Sequence, residues 1–284
     1  MAGRFGGDTG DFRIDHALAE LADKGYGSNW SVAGKRKSLI KFGRNTGLSL
    51  NTRSTVWDVG PANETYLTVA QGNLITVISS SSNSDIGKVI SVEGHRYVDG
   101  NLIFTIQRVT CNGQTRVPLP IPLCRNSRME DLSLTATVGD IYAYQGAGTT
   151  DTAGVPDNLA FAHNVIRGTD NHKQSFKGAT TLSSTDALII TAMTAAVAKK
   201  QVASVDFGIE SAKLTATGPG DEKGFTPKFG EFTLESAGQS ALRMNLDPCI
   251  VIPPNHEVRA IATASASATQ GNFGFSGYLA SRSL

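Results

Sequence analysis

The chain is poor in the features that usually announce a function. Cysteine occurs three times in 284 residues, at Cys111, Cys124 and Cys249. That is an odd number with no C-x-x-C pair, so neither a structural zinc site nor a disulfide framework is expected. Reduced, buried thiols are the expected state, with a cross-strand Cys111–Cys124 bridge as the minor alternative. Charge of one sign is also missing: 26 Lys and Arg balance 25 Asp and Glu, for a net charge of +1. No global field is left to hold nucleic acid or an anionic membrane. No window approaches a membrane-spanning apolar run, and the first residues lack an apolar signal core. The expected protein is soluble and assembled in a bacterial cytoplasm.

Catalytic signatures are absent as well. The sequence holds no G-x-S-x-G elbow, Walker A loop, H-E-x-x-H or dinucleotide fingerprint. The five histidines are scattered, and His163 and His172 with Asp170 come closest to a cluster. Their spacing matches no metal-ligand pattern. Asp221-Glu222 sits in a Gly-Pro-Gly turn and reads as a solvated loop tip. No catalytic residue, cofactor or metal is therefore expected, and the chain reads as a non-enzyme.

What the sequence does contain is strand chemistry. Charged residues make up 18% and aromatics 7%, glycine reaches 30, and Ser and Thr are abundant. Such a composition suits many short strands and turns. Asp99-Gly100 and Asn112-Gly113, each between apolar alternating runs, favour tight turns with positive φ and predict a meander. Pro118, Pro120 and Pro122 remove ladder donors, so that stretch reads as an extended edge or a crossing loop. The polar segment 145–158 reads as a domain boundary. Further on, 187–194 reads as a strand, and Val205, Phe207 and Ile209 alternate as one. Pro253 to His256 reads as a hairpin loop between strands 249–252 and 257–265. The Ala/Ser/Thr-rich run 260–268 would let another sheet or subunit approach closely.

The first residues differ. Ile14, Ala17, Leu18, Leu21 and Ala22 recur at helical spacing, with Gly25 as a stop. The expected organisation is an N-terminal arm with a short helix (1–37), a first β domain (38–150) and a second β domain (151–284). The fold class is all-β, an antiparallel β-sandwich or jelly roll.

Two features invite a functional reading. Lys35, Arg36, Lys37, Lys41, Arg44 and Arg53 fall in a stretch with no acidic residue between Lys24 and Asp58. A solvated basic face and a surface docking onto an acidic patch of a partner both stay open. Nucleic acid is disfavoured because no aromatics interleave with these charges. Trp57-Asp58 beside Gly60-Pro61 reads first as a core anchor, since a buried aromatic of that size dominates local packing. A glycan-stacking platform is the alternative.

The block Lys41-Phe42-Gly43-Arg44-Asn45, continuing to Ser54-Thr55-Val56-Trp57-Asp58-Val59-Gly60, also carries a resemblance. Ile90 to Gly94, Val109 to Gly113 and Arg125-Asn126-Ser127-Arg128-Met129 follow in order. Ile250 to Pro253, Glu257 to Ala260 and Gly274 to Leu279 close the series. Over residues 38 to 280 this order resembles a group of virion structural proteins of tailed phages, common in cyanobacterial and marine phages. The departures are the first 37 residues, 145–172 and 177–200. The resemblance implies a virion part acting by protein–protein binding. A head decoration or cement protein, on the outer capsid surface and binding the major capsid protein as a homotrimer, is the expected role. A tail or baseplate component, in contact with a host glycan, is the alternative. No nucleic acid and no membrane is an expected partner.

Overall fold

The computed structural model describes residues 17, 30–31, 37–59, 72–168, 173–198, 203–214, 225–235 and 241–282. Its strands are β1 (Trp30–Ser31), β2 (Lys37–Leu48), β3 (Ser54–Thr55), β4 (Ile75–Ser80), β5 (Val89–Val98), β6 (Asn101–Thr110), β7 (Val117–Leu123), β8 (Arg125–Asp131) and β9 (Ile141–Gln145). They continue as β10 (Asp151–Thr152), β11 (Val155–Pro156), β12 (Ala162–Ile166), β13 (Ala179–Thr181), β14 (Asp186–Ala198), β15 (Ser204–Lys213), β16 (Thr226–Glu235), β17 (Ala241–Ile252), β18 (His256–Ala264) and β19 (Thr269–Arg282). The fold is all-β, and its paired strands run antiparallel. The helix expected over 11–24 lies outside the described residues except for Ala17. That residue is helical and buried beside Ala187, Ile189 and Cys249.

Among the described residues four sheets of three or more strands carry the fold, besides the two-stranded β10-β11 sheet. The first has the order β1-β19-β14-β17 with β2 also on β19, and the second β13-β18-β15-β16 with β3 also on β18. The third runs β12-β9-β4-β7 and the fourth β6-β5-β8. One apolar cluster joins the first two sheets: Leu188, Ile190 and Phe275 from one side meet Phe207, Ile209 and Ala262 from the other. Phe207 and Phe273 lie 5.4 Å apart at its centre. In β14 the inward alternation would fail over thirteen residues, and a bulge between Ile190 and Ala192 resets it so that Met193, Ala195 and Val197 face the same core. A second cluster joins the third and fourth sheets, with Ile75, Ile78, Leu123 and Ile141 against Ile90, Val92 and Met129.

The sheets divide the chain differently from the expected boundaries. Strands β2 and β3 pair with β19 and β18, more than two hundred residues downstream, while residues 75–166 build the third and fourth sheets between them. The boundary expected near 150 falls between β9 and β12, which are neighbours in one sheet. Its polar composition serves a hairpin instead. Thr152 pairs with Val155, and Ala153 and Gly154 supply the positive φ of the turn.

Local turn chemistry decided several other outcomes. Asp99 and Gly100, with φ of 47° and 82°, close the β5–β6 hairpin as expected. Asn112-Gly113 does turn the chain, with Gly113 at φ 59° and one antiparallel bridge from Asn112 to Thr115, but no strand pairing follows because β7 crosses to β4 in the third sheet. There β7 is an edge strand, which is where its prolines cost no ladder bonds. Gln107 pins it from the fourth sheet, donating to the Ile121 carbonyl at 2.7 Å and accepting its N–H at 2.8 Å. Pro253 to Asn255 likewise joins strands of different sheets, β17 and β18, and not a hairpin. In β18 the small residues Ala260, Ala262 and Ala264 fill the first core. The close approach expected there is made by Gly178, where a Cβ would stand only 3.0 Å from the Ala260 methyl.

Candidate functional site

The two pairs of sheets meet along a seam of buried polar side chains, and this seam holds what chemistry the fold offers. On β8, Ser127 is the extra residue of a bulge: Glu93 and Gly94 of β5 lie opposite Arg128 and Asn126. A bulged residue is left out of the ladder. The Ser127 carbonyl accepts the Lys41 ammonium from β2 at 2.8 Å. Lys41 can reach it because β2 lies close against its neighbours at Gly43, where a Cβ would stand 1.8 Å from the Val56 carbonyl oxygen. Only glycine fits there.

Around Lys41 the strands place Glu93 and His95 (β5), Arg128 (β8) and Lys177. Lys41, Glu93 and Ser127 line two adjoining cavities, of about 410 Å³ and 180 Å³. The larger adds Arg128, Lys177, Phe42 and Phe176, and the smaller His95, Phe104 and Asp186. The Arg128 guanidinium stands 3.3 Å from Glu93 and 3.0 Å from Glu130. Burial lowers Lys41 from 10.5 to about 7, with Lys177 and Arg128 pushing the same way and Glu93 opposing. Burial lowers His95 to about 4, the Lys41 charge adds to this, and Asp186 opposes. His163, fully enclosed, is held well below its ordinary value by burial and by Lys177 and Arg125.

The seam continues through ion pairs. Arg125 meets Glu257 of β18 across it at 2.9 Å, and within the second sheet Arg259 meets Glu210 of β15 at 2.9 Å. Trp57 is 1% exposed and packs with Tyr142, Tyr144 and Val165 of the third sheet. The Lys177 ammonium lies 4.6 Å from the Trp57 ring and donates to the His163 carbonyl at 3.0 Å. Trp57 is thus a core anchor across the seam, as its size suggested.

The basic stretch does not form one face. Lys41 is buried in the seam. Arg44 donates to both Asp58 oxygens, at 2.9 and 3.1 Å, and lies over the Phe176 ring. Arg53 pairs with Glu210 at 2.5 Å. Lys35, Arg36 and Gly60 lie outside the described residues, as do His172 and Asp170, and Lys37 is described only as a strand position. Asp58 is buried, held by Arg44. Sequence reading therefore found Lys41, Arg44, Trp57 and Asp58 but assigned the cations to the surface. It missed Glu93, His95, Ser127 and Lys177 as site residues. The one available signal was the density of charge inside strand-like runs such as Glu93-Gly94-His95-Arg96.

Cys111, Cys124 and Cys249 are buried free thiols, so the Cys111–Cys124 bridge is not formed. Burial pushes the Cys124 thiol up to about 11. Among the described residues no group of three His, Cys, Asp or Glu side chains could hold a metal ion. No helix among them is long and apolar enough to cross a membrane.

No family model matches the chain, and no curated protein matches it. Among solved structures it is similar to a chain of the "Structure of infectious bursal disease virus Gt strain". That similarity covers 87% of this chain and 72% of the other, at 11% identity and a TM-score of 0.21. At that score the likeness carries no argument about fold or function.

Proposed function

We propose that the chain is a structural protein of a tailed-phage virion, built as two β-sandwich domains of jelly-roll type. In this reading it decorates the outside of the capsid as a homotrimer and cements contacts between major capsid subunits, by binding and without catalysis. The ordered motifs from Lys41 to Leu279 that resemble this family support the assignment. The structural observation that carries it is apolar surface on loop and strand positions. Leu134 is 99% exposed and Ile40 76%, with Ile86, Ile106 and Val138 also open to solvent. Where exposed large aliphatic side chains gather into one patch, they mark a surface buried on assembly. The contact in this reading is apolar, since Lys41, Arg44 and Arg53 are engaged internally.

A tail component that stacks host glycans loses its main aromatic, because Trp57 is buried. The test is the copy number of the chain in purified virions, by quantitative mass spectrometry against the major capsid protein. A stoichiometry comparable to the capsid subunit supports cement. A small number matching tail symmetry moves the protein to the tail, and absence from the particle overturns the structural role.

A further inference from the structure

The larger seam cavity has a charge imbalance that the fold does not resolve internally. Lys41, Arg128 and Lys177 line it with one anion, Glu93, and Glu130 also pairs with Arg128 at the rim, so with Lys41 protonated one positive charge is left over. Lys177 is committed to Trp57 and the His163 carbonyl. Lys41 is not committed to the same degree. Its ammonium has three protons, and among the described residues one hydrogen bond is formed, to the Ser127 carbonyl. Burying an ammonium with donors unspent costs free energy that an anion would recover. A second unsatisfied group lies next door: His95 is 4% exposed, lines the adjoining cavity, and its Nδ1 has no hydrogen-bond partner among the described residues.

We propose that this cavity binds a small carboxylate with a planar apolar body, its anionic end held by Lys41 and Arg128. The volume of about 410 Å³ lies in the range of small-molecule sites. Phe42 and Phe176, edge-to-face at 5.9 Å, supply the apolar wall for a flat ring. Arg128, whose guanidinium fork suits a carboxylate, meets Glu93 and Glu130 at a partly exposed rim. It can turn one donor to a ligand without leaving a buried charge behind. Amines are disfavoured by the same excess of positive charge. The proposal concerns the isolated chain and stands apart from any role in a particle.

Binding carries a proton signature. The groups facing Lys41 are Glu93 and His95 of β5, Arg128 of β8, Lys177, and Asp186 of β14, whose carboxylate is held by the Ser183 and Ser281 hydroxyls at 2.7 Å. His95 is already neutral near pH 7. The group that gains a proton when an anion arrives is therefore Lys41. Affinity falls as pH rises above about 7, where the free cavity loses that charge.

The experiment is calorimetric titration of the full chain with benzoate, with benzylamine as the cationic counterpart, at pH 6.5 and 8 in two buffers of different ionisation enthalpy. The expected result is millimolar or tighter benzoate binding, weaker at pH 8 and accompanied there by proton uptake, with no benzylamine binding. Arg128→Gln, at a partly exposed site, should weaken benzoate about tenfold, the scale of one charge-assisted hydrogen bond. Lys41→Met, shown folded by its thermal melt, should abolish binding and proton uptake together. Undetectable benzoate binding overturns the proposal. So does equal binding of benzylamine, or unchanged benzoate affinity in both variants.

Discussion

The Arg125 guanidinium and the Glu257 carboxylate, 2.9 Å apart and both buried, tie β8 of the fourth sheet to β18 of the second. Arg125 also donates to the Cys124 carbonyl at 2.9 Å. Removing one partner of such a pair leaves the other charge buried, which costs about 3–5 kcal/mol. Glu257→Gln should therefore lower the urea midpoint strongly. Arg125→Met combined with Glu257→Leu should recover much of that loss, because the stranded charge goes with its partner. A double variant as unstable as the sum of the single ones would contradict this account.

Lys41 makes stability depend on pH near neutrality. The folded chain releases its proton at about 7 and the unfolded chain at an ordinary lysine value of 10.5. Below pH 7 both states hold the proton, and the cost of burying the charge is fully present. Above pH 7 only the unfolded state holds it, so stability rises with pH by up to about 1.4 kcal/mol per unit. The window to measure is pH 7 to 8.5. At higher pH the raised thiol of Cys124 and the raised phenols of Tyr142 and Tyr144 work in the opposite direction. Chemical denaturation should show the rise in the native chain and a flat profile in Lys41→Met. A native profile that is flat as well would refute the buried ammonium.

What the sequence revealed was local. Asp99-Gly100 announced its hairpin because two positive φ angles leave few alternatives, and of the two readings the prolines of 118–122 allowed, an edge or a crossing loop, the edge is the one formed. The size of Trp57 was enough to mark it as a core anchor. Sheet membership was not legible, since Asn112-Gly113 and Pro253-Pro254-Asn255 look like hairpin loops whether the next strand pairs back or crosses. The pairing of β2 with β19 spans most of the chain and leaves no local trace. Lys41 was visible only as a cation in a basic stretch. Its burial depends on a bulge at Ser127 and on the close approach at Gly43, both set by distant strands.

Acid should unfold the protein through its enclosed histidines. His95 titrates at about 4 when folded, and His163 is held well below the ordinary value of 6.5. Above pH 6.5 both states leave them neutral, and no cost arises. As pH falls below 6.5 the unfolded chain takes up protons that the folded chain refuses. Stability then falls by up to about 1.4 kcal/mol per pH unit for each ring. Between pH 6.5 and 5 most ordinary carboxylates remain ionised, so the histidines dominate that slope. His95→Phe with His163→Gln should flatten it. The glutamine can keep a hydrogen bond to Gln145, which lies 3.2 Å from the His163 ring nitrogen. An unchanged slope in the double variant would assign acid sensitivity to other groups.

Trp57 also holds the two pairs of sheets together. It lies two residues past β3, which pairs with β18, and a single bridge joins it to Lys177. Its ring is packed among Tyr142, Tyr144, Ala162 and Val165 of β9 and β12. Truncating it removes contacts on both sides and leaves the Lys177 ammonium without its aromatic face. A buried Trp→Ala change costs about 3–5 kcal/mol. Trp57→Ala should therefore lower the melting temperature, and Trp57→Phe should lower it less, since a smaller ring still fills part of the site. Limited proteolysis should locate the damage at the seam, with cleavage in the connections between β3 and β4 and between β12 and β13 before either core is cut. An unchanged melting temperature together with lost glycan binding would instead make Trp57 a recognition residue and revive the tail-component reading.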